Sequence, residues 1–131
     1  MKTDEAIKTD VYKVIKKSDL MKEVTGVLKK TKRPHNSQKE DIVISVLANE
    51  VAQIQEATVN VNIYVADITV DSQPEEATVR LGKLCELAAN LFEVFTGDGF
   101  RARLTSQRVF EVEGTNEHII NNRIEYKFLN E

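Results

Sequence analysis

Few side chains in this 131-residue sequence could carry acid–base, nucleophilic or metal chemistry, and they do not fall into a motif. The histidines are His35 and His118, and the single cysteine is Cys85. His35 lies in a polar stretch and His118 beside an expected turn. Neither has neighbours spaced to hold a metal or to orient the ring as a base, so both read as surface histidines. Cys85 shares helical spacing with Leu81, Leu84 and Ala88, where a thiol is buried and unreactive. Carboxylates pair at Glu75-Glu76 and at Glu111 with Glu113. The first pair suits a helix N-terminus and the second the polar side of a strand, whereas an acid–base pair needs a cleft that raises one pKa. His-Glu-x-x-His, Cys-x-x-Cys, a phosphate loop and a nucleophile elbow are all missing. The expectation is a non-enzymatic chain with no catalytic, cofactor-binding or metal-binding residues.

The segment with most functional promise is basic. Residues 29–41 include Lys29, Lys30, Lys32, Arg33 and Lys39, which could neutralise phosphates. No aromatic residue stands among them to stack a base, and a formal net charge of −3 disfavours generic nucleic-acid affinity. The segment has no large apolar residue and contains Pro34, so it cannot bury itself or form a regular helix. A long, exposed, mobile loop is expected, with Lys30, Lys32, Arg33, Pro34, His35 and Lys39 forming a protein-docking arm that orders on binding. The alternative is an adaptor, nucleic-acid-associated or generally protein-binding, that uses the same basic loop.

Charge is distributed unevenly. Residues 1–40 hold eleven Lys/Arg against six Asp/Glu, while residues 41–131 hold seven against fifteen. Such a chain can attract copies of itself head to tail or steer towards an acidic partner. Two polar strand faces are candidates for subunit contacts: Asn60, Asn62 and Tyr64 on one, Arg101 and Arg103 on the other.

The elements that must position these residues follow from periodicity. Ile7, Val11, Val14 and Ile15 trace one helical face, with Lys13, Lys16 and Lys17 late in the helix, where its dipole favours them. Ser18 can cap a short turn through Leu20, Met21 and Val24; Gly26 ends the helical region and Val27-Leu28 begin a short strand. Ile42–Leu47 is apolar on both faces, as in a central strand. Val59, Val61, Ile63 and Val65 alternate with Asn60, Asn62 and Tyr64, a strand with one buried face; residues 49–56 connect the two strands as a hairpin. Ser72 and Glu75 have capping-box spacing, and Leu81, Leu84, Cys85, Ala88, Leu91, Phe92 and Phe95 form one stripe of a long helix that ends at a left-handed Gly97. After Asp98-Gly99 the period becomes two. Apolar residues at even positions in both last strands predict a three-residue turn at Gly114–Asn116, with Phe110 opposite Ile120 and Leu104 opposite Tyr126.

The fold class expected is α+β: a mostly antiparallel sheet, a short N-terminal helical region and one long helix packed on the same face, in one domain spanning residues 1–131. At this length roughly two thirds of the unfolded surface can be buried. No apolar run approaches the roughly 20 residues of a membrane span, and the polar N-terminus lacks the apolar core of a signal peptide. The lone cysteine gives no sign of an oxidising compartment.

This succession resembles the phage tail-completion, or head-to-tail joining, family. The matching segments are Val24-Thr25-Gly26-Val27, Lys32-Arg33-Pro34, Glu40-Asp41-Ile42-Val43-Ile44, Val59-Asn60-Val61-Asn62-Ile63-Tyr64-Val65, the helix from Ala77 to Phe95 and the closing strand pair. The similarity spans nearly the whole chain and rests on order and spacing. It implies a structural tail protein made in the bacterial cytoplasm and built into the virion tail. Such a protein assembles as a ring, usually hexameric, through its sheet, and meets phage connector and tail-tube proteins through mobile loops. Carried over, Arg33-Pro34 would be the centre of the docking loop. Tail terminators share this architecture, so stopping the tube and joining it are both implied. The acidity of the final hairpin, with Glu111, Glu113 and Glu117 near its turn, is a departure to which the resemblance assigns no role.

Overall fold

In the computed structural model, which describes residues 1–130, helix α1 (Asp4–Lys16) starts where the Thr3 hydroxyl accepts the Ala6 N–H at 3.1 Å. Asp4 and Glu5 in the first turn and Lys13 and Lys16 in the last complement the helix dipole. Ile7, Val11 and Ile15 are fully buried. Ser18 caps the five-residue α2 (Asp19–Glu23) by accepting from the Met21 N–H, while its hydroxyl donates to the Ile15 carbonyl at 2.6 Å. The chain then squeezes past the segment entering the sheet. A Cβ at Gly26 would stand 2.6 Å from the Asp41 amide nitrogen, so only glycine fits there.

The main sheet has six strands, β1 (Leu28–Lys30), β2 (Ile42–Glu50), β3 (Ile54–Ala66), β6 (Val94–Gly97), β7 (Phe100–Val112) and β8 (Glu117–Leu129). Their spatial order is β1-β2-β3-β8-β7-β6. Only β1 and β2 run parallel, and every other neighbouring pair is antiparallel. Val59, Val61, Ile63 and Val65 of β3 are buried, while Asn60, Asn62 and Tyr64 between them are half-buried on the other face. The helices share the buried side. The Tyr126 hydroxyl of β8 donates to Asp10 on α1 at 2.6 Å, and Gln107 of β7 donates to the Cys85 carbonyl on α3 (Thr78–Phe92) at 2.9 Å. One core cluster joins α1 and α3 to Ile42, Ile44, Ile120, Ile124 and Tyr126. Phe92 is fully buried and contributes about 2 kcal/mol of apolar transfer free energy.

Three expectations are corrected. The long helix is shorter at both ends. Asp71 and Ser72 take positive φ (49° and 63°) as the two-residue turn of a small hairpin, β4 (Ile68–Val70) with β5 (Gln73–Glu75). Ser72 therefore lies in a turn instead of capping a helix, and Pro74 biases Gln73 towards extended backbone. The helix begins at Thr78 behind Ala77, which gives it no side-chain cap. At the other end Phe95 leaves the helix for edge strand β6, where it pairs with Ala102 and meets the Phe100 ring edge-on at 6.2 Å. Asp98-Gly99 then close a tight hairpin, with Gly99 at φ 75°.

The closing hairpin also has a different register. Val112 pairs with Glu117, so the turn holds four residues, 113–116, and Phe110 faces Ile119 instead of Ile120. The pairing slips at Thr105, after which Leu104 lies opposite Ile124 instead of Tyr126. This bulge lets the even positions Phe100, Ala102 and Leu104 face the helices while Phe110, 43% exposed, turns to the opposite side. Gln107 takes the vacated inward position.

The third correction concerns the basic segment. Lys29 and Lys30 belong to β1, and the connection 31–41 folds against the sheet through Arg33.

Candidate functional site

Arg33, expected at the exposed centre of a docking arm, is a clamp. Its Nε donates to Asp41 at 2.8 Å, its two terminal nitrogens donate to the Glu117 carboxylate at 2.9 and 2.7 Å, and Nη2 also donates to the Lys39 carbonyl. The guanidinium lies 4.1 Å from the Tyr64 ring centroid, a cation–π stack. Asp41 and Glu117 are buried, so this is a desolvated ion triad. Hydrogen bonding to Glu117, foremost, raises the Arg33 guanidinium further. Burial alone would raise the Asp41 carboxyl. The Ser37 hydroxyl, Arg33 and the Val27 N–H outweigh that and hold it below the usual carboxylate range.

The other loop residues divide. Lys30 donates to Thr9 at 2.8 Å and lies over the Tyr12 ring. Pro34 is half-buried, its carbonyl accepting the Ser37 N–H. Lys32, His35 and Lys39 are exposed. The segment thus presents four of the six expected docking side chains, Lys30, Lys32, His35 and Lys39, to solvent, Lys30 while bonded to α1, and uses Arg33 internally.

Next to this clamp, Arg80 of α3 forms a second one. It grips Glu40 bidentately at 2.7 and 2.6 Å and reaches Glu23 of α2 at 2.6 Å. Hydrogen bonds from Lys83 and then Arg80 lower the Glu23 carboxyl. Glu40 also accepts the Thr25 N–H, so Glu40 and Asp41 fasten opposite sides of the sheet entrance.

Strand register maps the uncovered face of the sheet row by row. Lys127 and Arg101 are neighbours beside Glu56, followed by Glu125 and Arg103 beside Thr58. Next come Ser45, Asn60, Arg123 and Ser106 across four strands, then Val43, Asn62, Asn121 and Arg108. Tyr64, Ile119 and Phe110 form the row after that. The amide of Asn121 donates to Asn62 at 2.7 Å, and Arg108 lies over the Phe110 ring. The expected contact residues Asn60, Asn62, Tyr64, Arg101 and Arg103 therefore share one face. Tyr64 is already covered by Arg33. Arg108 and Arg123 also belong to this face; the bulge at Thr105, which changes which β7 residues point outward, hid Arg108, whereas Arg123 sits at an outward odd position of the unbroken β8 alternation. β6 pairs only with residues 100–103 of β7, so the outer edge of β7 from Thr105 to Val112 has no neighbouring strand among the described residues.

The groups that could do chemistry are held elsewhere. His118 Nδ1 is 2.6 Å from Asp67 and its Nε2 is 3.7 Å from Glu76. These two carboxylates flank the β4–β5 hairpin, so His118 ties both its roots to β8. Burial pushes the Cys85 thiol up, away from a reactive thiolate. Glu111 pairs across the ladder with His118, and Glu113 lies in the exposed turn. A groove of about 500 Å³ between the β4–β5 hairpin and the start of α3 is lined by Ile68, Ala77 and Val79 and rimmed by Glu75, Glu76 and Lys83. Among the described residues, no group of three or more His, Cys, Asp or Glu is placed to hold a metal ion, and no helix is long and apolar enough to cross a membrane. No protein-family model matches the chain, and no curated protein matches it either.

Proposed function

We propose that this chain is a non-enzymatic structural protein of a phage or prophage tail, forming a ring at the head-proximal end of the tail, in tail completion or head-to-tail joining. The observation that carries this reading is the one-sided sheet. Two helices cover one face, while the other offers rigid rows of arginine, asparagine and aromatic side chains beside an unpaired β7 edge. Rigid, largely polar surfaces with an open edge suit repeated subunit contacts, by side-chain packing or by strand addition. The exposed Lys32, His35 and Lys39 supply the docking contact to connector or tail-tube proteins, carried on a segment anchored by Arg33.

The direct functional test is deletion of this chain's coding sequence from a phage or prophage that carries it. Filled heads and separate, unjoined tails are the expected products in electron micrographs. Normal yields of joined, infectious particles would overturn the proposal.

A further inference from the structure

On the uncovered face, strands β7 and β8 carry five cations, Arg101, Arg103, Arg108, Arg123 and Lys127, in a protein whose formal net charge is −3. Glu125 engages Arg103 at 3.4 Å and Lys127 at 3.6 Å, and Glu56 reaches Lys127 at 3.8 Å. Arg101, Arg108 and Arg123 have no carboxylate within ion-pair distance among the described residues, and all three are exposed. Unpartnered charge of the opposite sign sits at the far end of the same ribbon. Glu111 and Glu113 at the β7–β8 turn are exposed and unpaired among the described residues, and so is Asp71 at the turn of the neighbouring β4–β5 hairpin. Arg101 and Glu113 are twelve residues apart along the ribbon, roughly 40 Å at strand rise, so they cannot meet within one chain.

We infer that the arginine stripe on the open sheet face receives the acidic β7–β8 turn of a second copy. The inference rests on the ring reading above and names the surfaces that would meet. Stripe and turn are different patches on each subunit, so the contact is heterologous and propagates to a closed ring or a filament. A second copy fits better than a polyanion. A nucleic acid laid along the ribbon would run into the Glu111–Glu113 end, whereas a narrow hairpin covers the stripe alone and satisfies both sets of charges. Because these groups are exposed, their pairing governs association rate and partner choice and weakens with salt.

Charge exchange tests this. The wild type, the triple reversal R101E/R108E/R123E and the double reversal E111K/E113K are compared by gel filtration with light scattering at low salt, with circular dichroism as the check on folding. The wild type is expected to associate, each reversal to weaken association at least about a hundredfold, and an equimolar mixture of the two to recover the wild-type mass, since each variant then presents the charge that the other lacks. If both reversals associate like the wild type, the interface lies elsewhere and this inference falls while the ring reading stands. A mixture that fails to recover has the same meaning. A wild type that remains monomeric removes both. If the triple reversal instead loses binding to a labelled DNA duplex with its mass unchanged, the stripe is a nucleic-acid surface and the inference is wrong.

Discussion

The guanidinium of Arg33 holds the carboxylate of Glu117 through two hydrogen bonds, 2.9 and 2.7 Å long, across 84 residues of sequence. With Asp41 on its third side and Tyr64 beneath it, this one side chain fixes the 31–41 connection to the first residue of β8. Truncating Arg33 to alanine leaves two buried carboxylates unpaired, which costs about 3–5 kcal/mol. The midpoint of urea unfolding should fall accordingly. Arg33→Lys should recover only part of the loss, because an ammonium cannot reproduce the fork or the stack on Tyr64. An unchanged midpoint for Arg33→Ala would show that the clamp adds nothing to stability.

Stability should fall in acid through Asp41. Its folded-state pKa is depressed, so the unfolded chain takes up a proton first as pH drops. The contribution is present above the ordinary aspartate value, about 4, and disappears as pH falls through the lower folded value. Urea midpoints measured from neutral pH down to pH 3 should decline more steeply for the wild type than for Asp41→Asn. Parallel curves would contradict the assignment.

Tyr126 titrates in the opposite sense. Burial, with the hydrogen bond to Asp10, pushes its phenol above the ordinary tyrosine value. The stability it contributes is complete below about pH 10 and is lost as pH rises towards the folded value, since the unfolded phenol ionises first. Of the three tyrosines, Tyr126 should show no phenolate absorbance until the protein unfolds. In Tyr126→Phe that late, unfolding-linked step should vanish from the alkaline difference spectrum.

Gln55 is fully buried and acts as an extra peptide group for the N-terminus. It accepts the Lys2 N–H at 2.9 Å, donates to the Lys2 carbonyl at 2.7 Å and donates to Asn49 at 2.6 Å. Gln55→Leu strands those partners and should destabilise by about 1–3 kcal/mol. Limited proteolysis should then cut before α1 faster than in the wild type. An unaltered cleavage pattern would show that the N-terminus is held by other contacts, such as Lys2 with Asp10.

How much of this was legible depended on how local the signal was. Ser18 capping α2, the β3 alternation from Val59 to Val65 and the core stripe at Leu81, Leu84 and Ala88 are written in nearby residues, and the α+β class followed from them. The bulge at Thr105 was not legible. The even-position rule that seemed to align Phe110 with Ile120 holds for β7 only as far as Leu104, and no residue at 105 marks the slip. Arg33 misled for a related reason. In sequence it is one of five cations in a polar run, and its partners Glu117 and Tyr64 become neighbours only once β3 and β8 pair. The small hairpin at Asp71-Ser72 was hidden because serine with a glutamate three residues on also spells a helix cap. Among the candidate contacts, Asn60, Asn62, Arg101 and Arg103 fell on one face because β3 and the first part of β7 keep strict alternation.

The central claim, that the open sheet side meets sister subunits, is tested most directly by sedimentation velocity of the wild-type chain over a wide concentration range at low salt. A shift from the 14.8 kDa monomer to one limiting species of several subunits is expected, reversed by added salt. A single monomeric boundary at every concentration and salt would contradict it.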